Sequence, residues 1–198
     1  MENNQSHNKR SFNQEYAMTV RSYMEFNPRL GDRVYIDNSA IVIGNVVLGI
    51  DSSVWPLSVI RGDVHSIRIG DRTNIQDGSV LHCTSPESFG PDGFPLTIGS
   101  DVTIGHRAIL HGCKINDRVL IGMGAIIMDG AIIESDIILG GGSVVSPGKT
   151  LTSGGLYVGS PAQRVRDLRQ EEIDFLVYSA KHYAKLKDLH LNSSEVLK

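Results

Sequence analysis

Three histidines, His82, His106 and His111, lie in the stretch LHCTSPESFGPDGFPLTIGSDVTIGHRAILHGC, from Leu81 to Cys113. Imidazole is a general base, a proton carrier and the commonest metal ligand. A lone histidine is more often a polar residue of surface or core with no chemistry of its own. Three that the backbone gathers are another matter, because neutral imidazoles bind zinc and iron well. The question is therefore what positions them.

The positioning element is a repeat. Aliphatic residues recur every six positions at Ile115, Ile121, Ile127, Ile133, Leu139, Val145 and Leu151, and Tyr157 takes the next place. Upstream the same spacing joins Ile36, Val42, Leu48, Val54 and Ile60, then, after a nine-residue step, Ile69, Ile75 and Leu81. The extra residues of that step fall near 66–68, just after His65, which reads as structural. A helix repeats near 3.6 residues and a flat strand at 2. A period of six fits a short strand plus a turn, stacked into a solenoid of parallel strands. Ser85–Pro95, rich in Pro, Gly and Ser, interrupts the pattern and reads as an excursion from one corner.

With those eleven residues set aside, His82 and His111 are 18 positions apart, one full coil of a three-sided prism. Each directly follows the aliphatic residue of its repeat. They should stack on adjacent coils, roughly 4.8 Å apart like neighbouring strands. That suits two imidazoles sharing one metal, at about 2.0–2.1 Å each for zinc. His106 falls one side earlier and should project elsewhere. It could join the same metal if a neighbouring subunit presented it.

A chain of 198 residues has room for one domain with a small appendage. The formal net charge of -3, with no basic run, gives no nucleic-acid surface. Two cysteines, Cys83 and Cys113, make no secreted disulfide framework and read as small buried hydrophobes. With no apolar stretch long enough to span a membrane and no signal peptide, the expected setting is cytoplasmic.

Residues 1–30 read as an N-terminal tail and a cap over the first coil, 31–166 as the β-helix, 167–191 as a C-terminal helix and 192–198 as a tail. The segment Ile60–His82 is dense in polar groups, including Arg61, Asp63, His65, Asn74, Gln76 and Asp77. Gly159–Gln163 ends the repeats. In the helix, Glu171 and Glu172 occupy the first turn, where negative charge is favoured. Ile173, Leu176, Val177, Ala180 and Ala184 form a stripe for packing along the prism.

The passages WPLSVIRGDVHSIRIGDRTNIQDGSVLH, TIGHRAILHGC, IGMGAIIMDGAII and YVGSPAQRVRDL together resemble the gamma-class carbonic anhydrase family, in its compact bacterial YrdA-type branch. The resemblance spans about residues 20–190. It implies an all-β fold, a left-handed parallel β-helix with a C-terminal α-helix packed along it, assembled as a homotrimer. It implies a zinc or ferrous ion at each subunit interface, held by His82 and His111 of one chain and His106 of the next. Arg61, Asp63 and Asp77 match interface ion-pair residues, with Arg61 and Asp77 expected to pair. Asn74 and Gln76 match polar residues lining the site, and Tyr178 a tyrosine beside it. The implied reaction is reversible hydration of carbon dioxide to bicarbonate.

The chain departs from the best-characterised active members at Val64, where they carry a glutamate. The excursion, with Glu87 and Asp92, also lacks their acidic cluster. Fast hydration needs a route for proton export, so slow turnover is expected. Two other classes remain open: an acyltransferase or thioesterase acting on CoA esters, and a non-catalytic metal-holding scaffold. Acyl transfer needs one catalytic base, not a stacked pair plus a third histidine.

Overall fold

The computed structural model describes residues 19–87 and 91–193. Of the expected tails, residues 1–18 and 194–198 lie outside the described residues, while 192 and 193, read as tail, belong to the C-terminal helix. The chain winds into a parallel-strand solenoid of about eight turns, closed by one helix, α1 (Gln170–Ser193).

The six-residue ladder is the inward-facing column. Ile75, Leu81, Ile104, Leu110, Ile121, Ile127, Ile133, Leu139, Val145 and Leu151 are all completely buried. Removing such a side chain from water contributes about 1.5–3 kcal/mol, and the column repeats this at every turn. One wall stacks the strands Val80–His82, Ile109–His111, Ile126–Ile127 and Val144–Val145. A second stacks Leu96–Ile98, Lys114–Ile115, Ile132–Ile133 and Thr150–Leu151. The third runs from Tyr35–Ile36 through Ser53–Val54, Asn74–Ile75, Thr103–Ile104 and Val119–Ile121 to Gly155–Val158. An exposed antiparallel strand, Gln163–Asp167, ends this third wall.

Adjacent coils approach so closely that some corners exclude a methyl group. A Cβ on Gly122 would lie 2.4 Å from the Gly141 nitrogen and 2.6 Å from the Gly140 carbonyl carbon, both backbone atoms of the next coil. Overpacking of this kind costs about 1–3 kcal/mol. Gly122→Ala is expected to lower the unfolding free energy measured in urea by that amount, whereas an unchanged midpoint would show that the coils can part freely.

Two sequence expectations need correcting. The segment read as a cap instead enters the sheet: Val20–Arg21 and Arg29–Leu30 pair in parallel with the long strand Ile41–Leu48. The three-residue insertion lies earlier than 66–68. Gly44 pairs with Gly62 and Val46 with Ile67, so Asp63–Ser66 leave the ladder as a bulge. Extra residues must go where the strand turns a corner, and this one does. The Cys83 thiol donates to the His65 carbonyl inside the bulge (3.4 Å).

The excursion is clasped at its base by paired backbone hydrogen bonds between Thr84 and Phe94, 3.0 Å each way. His65 ties it to the bulge. Its Nδ1 accepts from the Ser66 amide (2.7 Å), so its Nε2 donates to the Asp92 carbonyl (3.1 Å).

Helix α1 crosses the third wall. Leu176, Ser179, Ala180 and Lys187 are its buried positions, and the rings of Tyr183 and His190 meet Trp55. Glu172 fixes its start by accepting from the Arg169 amide (2.9 Å) and from both terminal nitrogens of Arg166. The buried Lys187 was not part of the apolar stripe expected from the sequence. Its ammonium lies 3.0 Å from Asp51 and also bonds Asp188.

Candidate metal centre

The first wall places His82 directly beside His111, in register on adjacent coils. Their ring centroids are 5.0 Å apart. The 18-residue spacing that remains when the excursion is set aside requires this, because the coil has no freedom to rotate one ring to another wall.

Each of the three histidines carries an aspartate on one ring nitrogen. His82 Nε2 lies 3.1 Å from Asp63, His111 Nδ1 lies 2.8 Å from Asp129, and His106 Nδ1 lies 2.8 Å from Asp77. Carboxylate oxygens accept, so these ring nitrogens carry the hydrogen. The opposite nitrogens of His82 and His111 are then both lone-pair donors. They face each other, His82 Nδ1 to His111 Nε2, at 3.0 Å. Two lone pairs at that separation repel unless a cation lies between or beside them. The donor set thus fits a metal: two converging imidazole nitrogens, each ring oriented by a carboxylate, the arrangement that raises ligand basicity in metal sites. Burial depresses the pKa of His82 and outweighs the hydrogen bond to Asp63 that would raise it, which favours the neutral, ligating form.

The aspartates are themselves held. Asp63 sits on the bulge. Desolvation would raise its pKa, but hydrogen bonds from Arg61 (2.6 Å) and His82 hold it below the ordinary carboxylate range. Asp129 Oδ1 also accepts from the Thr84 hydroxyl at 3.0 Å. Sequence reasoning missed Asp129, although it lies 18 residues, one coil, beyond His111. The signal was available, because a ligand's orienting carboxylate should occupy the same wall one coil on. Asp129→Asn is expected to weaken metal binding about 10–100-fold. Competition against a chelator measures this, and unchanged affinity would remove Asp129 from the site.

The pair expected between Arg61 and Asp77 does not form within one chain. Arg61 meets Asp63 instead, two residues on along the same strand, and Asp77 is taken by His106. His106 stands at a corner with a half-exposed side chain, away from the His82–His111 pair. Among the described residues, no three His, Cys, Asp or Glu side chains of one chain group as a metal site. Asn74 and Gln76 are buried on the third wall, with Gln76 Nε2 donating to Asn74 Oδ1 at 3.1 Å. Tyr178 projects from α1, 61% exposed, against the rings of Phe175 and His182.

Cys83 and Cys113 are free and buried. Burial pushes the Cys83 thiol up to about 11 and the Cys113 thiol higher still. Neither thiol is a reactive thiolate at neutral pH.

No family model matches the chain. Protein YrdA of Escherichia coli (strain K12) is 56% identical over 173 residues, 87% of this chain and 94% of that protein. A protein of Methanocaldococcus jannaschii named probable carbonic anhydrase is 42% identical over 159 residues, 80% of this chain and 96% of its own length. This chain belongs to the gamma-carbonic anhydrase-like family of hexapeptide-repeat proteins. A crystal structure described as a putative acetyltransferase from Bacillus cereus superposes with a TM-score of 0.81 at 38% identity, covering 87% of this chain and 96% of that one. Among the described residues, no helix is long and apolar enough to cross a membrane.

Proposed function

We propose that the protein is a homotrimer that binds one zinc or ferrous ion at each subunit interface and hydrates carbon dioxide reversibly. The observation that carries this reading is the pair of facing lone pairs on His82 and His111, 3.0 Å apart. His106 of a neighbouring chain would supply the third nitrogen, its ring oriented by Asp77. Membership of a family whose relatives include carbonic anhydrases supports the same reading.

His82 and His111 of one chain and His106 of the next would hold the ion, which would supply the Lewis acidity that makes water a nucleophile toward carbon dioxide near neutral pH. Asp63, Asp129 and Asp77 fix the rings so that three nitrogens can converge without reorganisation. The Gln76 amide would orient the nucleophile through a hydrogen bond. Val64 offers no group to carry the proton away, so hydration is expected to be slow.

The Bacillus cereus likeness favours a second reading, acyl transfer or thioester hydrolysis. Against it, acyl transfer needs one catalytic base, whereas His82 and His111 turn two ring nitrogens onto one point, 3.0 Å apart. The test is metal content by elemental analysis, followed by carbon dioxide hydration with zinc and, anaerobically, with ferrous iron. About one metal per trimer interface with measurable hydration supports the proposal. A metal-free trimer that cleaves CoA thioesters would replace it.

A further inference from the structure

The third wall carries polar side chains outward, yet they are not solvated, because α1 lies over them. Asn74 and Thr103 are register partners on adjacent coils. Both are buried, as are Gln76 and Ser179. The four form one chain of hydrogen bonds. Asn74 Nδ2 donates to Thr103 Oγ1 at 3.1 Å and lies 3.4 Å from the Val102 carbonyl. That carbonyl can only accept, so it fixes which end of the Asn74 amide faces it. Asn74 Oδ1 is thereby turned to Gln76, whose Nε2 donates to it at 3.1 Å. The Gln76 amide is then oriented too: its nitrogen is tied down and its oxygen is the end left over. Thr103, having accepted from Asn74, has its own hydrogen for Ser179 Oγ, 2.9 Å away on α1. At the other end, Gln76 immediately precedes Asp77, the residue that holds His106.

We propose that Thr103 and Ser179 are positioning residues which, together with the Val102 carbonyl and acting through Asn74, hold the Gln76 amide with its oxygen rather than its nitrogen presented. Neither touches substrate. The proposal rests on the reading of Gln76 as the group that orients the nucleophile. An amide oxygen accepts the hydrogen of a water or hydroxide and so aims its lone pair elsewhere; a flipped amide would donate to that lone pair and occupy it. Helix α1 therefore supplies the far end of a relay into the site, beyond its role as a cover for the wall.

The relay is tested with Thr103→Val, which keeps the branched shape and the strand preference but lacks the hydroxyl. Thr103→Ser keeps the hydroxyl, and Ser179→Ala removes the last link. The first readout is the side-chain amide ¹H–¹⁵N resonances of Gln76, assigned with Gln76→Glu. Thr103→Val should shift this pair and quicken its exchange with solvent, although the Gln76 amide is bonded to Asn74 and not to Thr103. Thr103→Ser should restore it, and Ser179→Ala should move it part-way. The second readout is hydration. The kcat of Thr103→Val should fall about fivefold, the effect of one lost neutral hydrogen bond, with KM and metal content unchanged. The double variant should fall no further than Thr103→Val, because the residues act in series. Gln76 resonances that stay in place in Thr103→Val overturn the relay. A shift with no change in kcat overturns the positioning role. A wild-type protein inactive with both metals would sink the proposed reaction, while the resonance test would still decide the relay.

Discussion

Replacing His111 with alanine is expected to reduce bound metal from about one ion per chain to less than a tenth of that, because the proposed site would lose one of its three ligands. The loss should exceed that from any carboxylate variant. Asp129→Asn leaves the imidazole in place and only frees its ring, whereas His111→Ala removes the donor. It also leaves His82 Nδ1 with no partner across the 3.0 Å gap. The fold should survive, since Leu110 beside it stays buried in the column and His111 itself faces outward, partly exposed. Circular dichroism and the sedimentation coefficient of the variant should match wild type while elemental analysis shows the metal gone. Full metal occupancy in a folded His111→Ala would mean that the two rings do not share an ion.

The second large effect concerns the seat of α1. Lys187 has no solvent exposure, and its ammonium is balanced by Asp51 at 3.0 Å together with Asp188. Asp51 in turn binds Arg33 across the coil, at 2.8 Å to Nε. Asp51→Ala takes away the carboxylate that meets the buried end of the lysine. Leaving a buried charge short of its partner costs about 3–5 kcal/mol. Lys187→Met replaces the charge with an apolar chain of similar volume and should be close to neutral by comparison. Equilibrium urea unfolding at fixed chain concentration separates the two; equal midpoints would show that Asp188 suffices.

The pH dependence follows from the same group. The hydrogen bond from Arg33, opposed by desolvation and aided by Lys187, holds the folded-state pKa of Asp51 below its ordinary value. A depressed folded-state pKa gives stability that is fully present above the unfolded value, about 3.9, and is lost as pH falls through the folded one. Wild type should therefore lose more stability than Asp51→Ala as the pH falls below about 4.

The two kinds of feature differed in how far the sequence revealed them. The β-helix was legible because every sixth residue must face inward, and Ile115 to Leu151 carry that demand without a gap. The stacking of His82 on His111 followed from the same ruler, since the excursion could be recognised by its Pro and Gly content. The bulge was misplaced because spacing counts extra residues but does not say which of them leaves the ladder; that depends on the corner between Gly62 and Ile67. Arg61 was matched to Asp77 by family position, yet within the chain the nearer Asp63 takes it, two residues away on the same face of a strand. The Thr103–Ser179 link was out of reach because it joins residues 76 apart, through a helix whose docking rotation no repeat dictates. Lys187 was hidden for a related reason: a charged residue in a buried helical position reveals itself only when its partner on another coil is seen.

The proposed metal site draws its ligands from two chains, and subunit complementation tests this most directly. His106→Ala and His111→Ala chains should each form trimers nearly free of metal. Refolded together in equal amounts, they should regain metal at about a quarter of the interfaces, those where one chain contributes His82 with His111 and its neighbour contributes His106. A mixture that binds no more metal than either variant alone would contradict the shared centre.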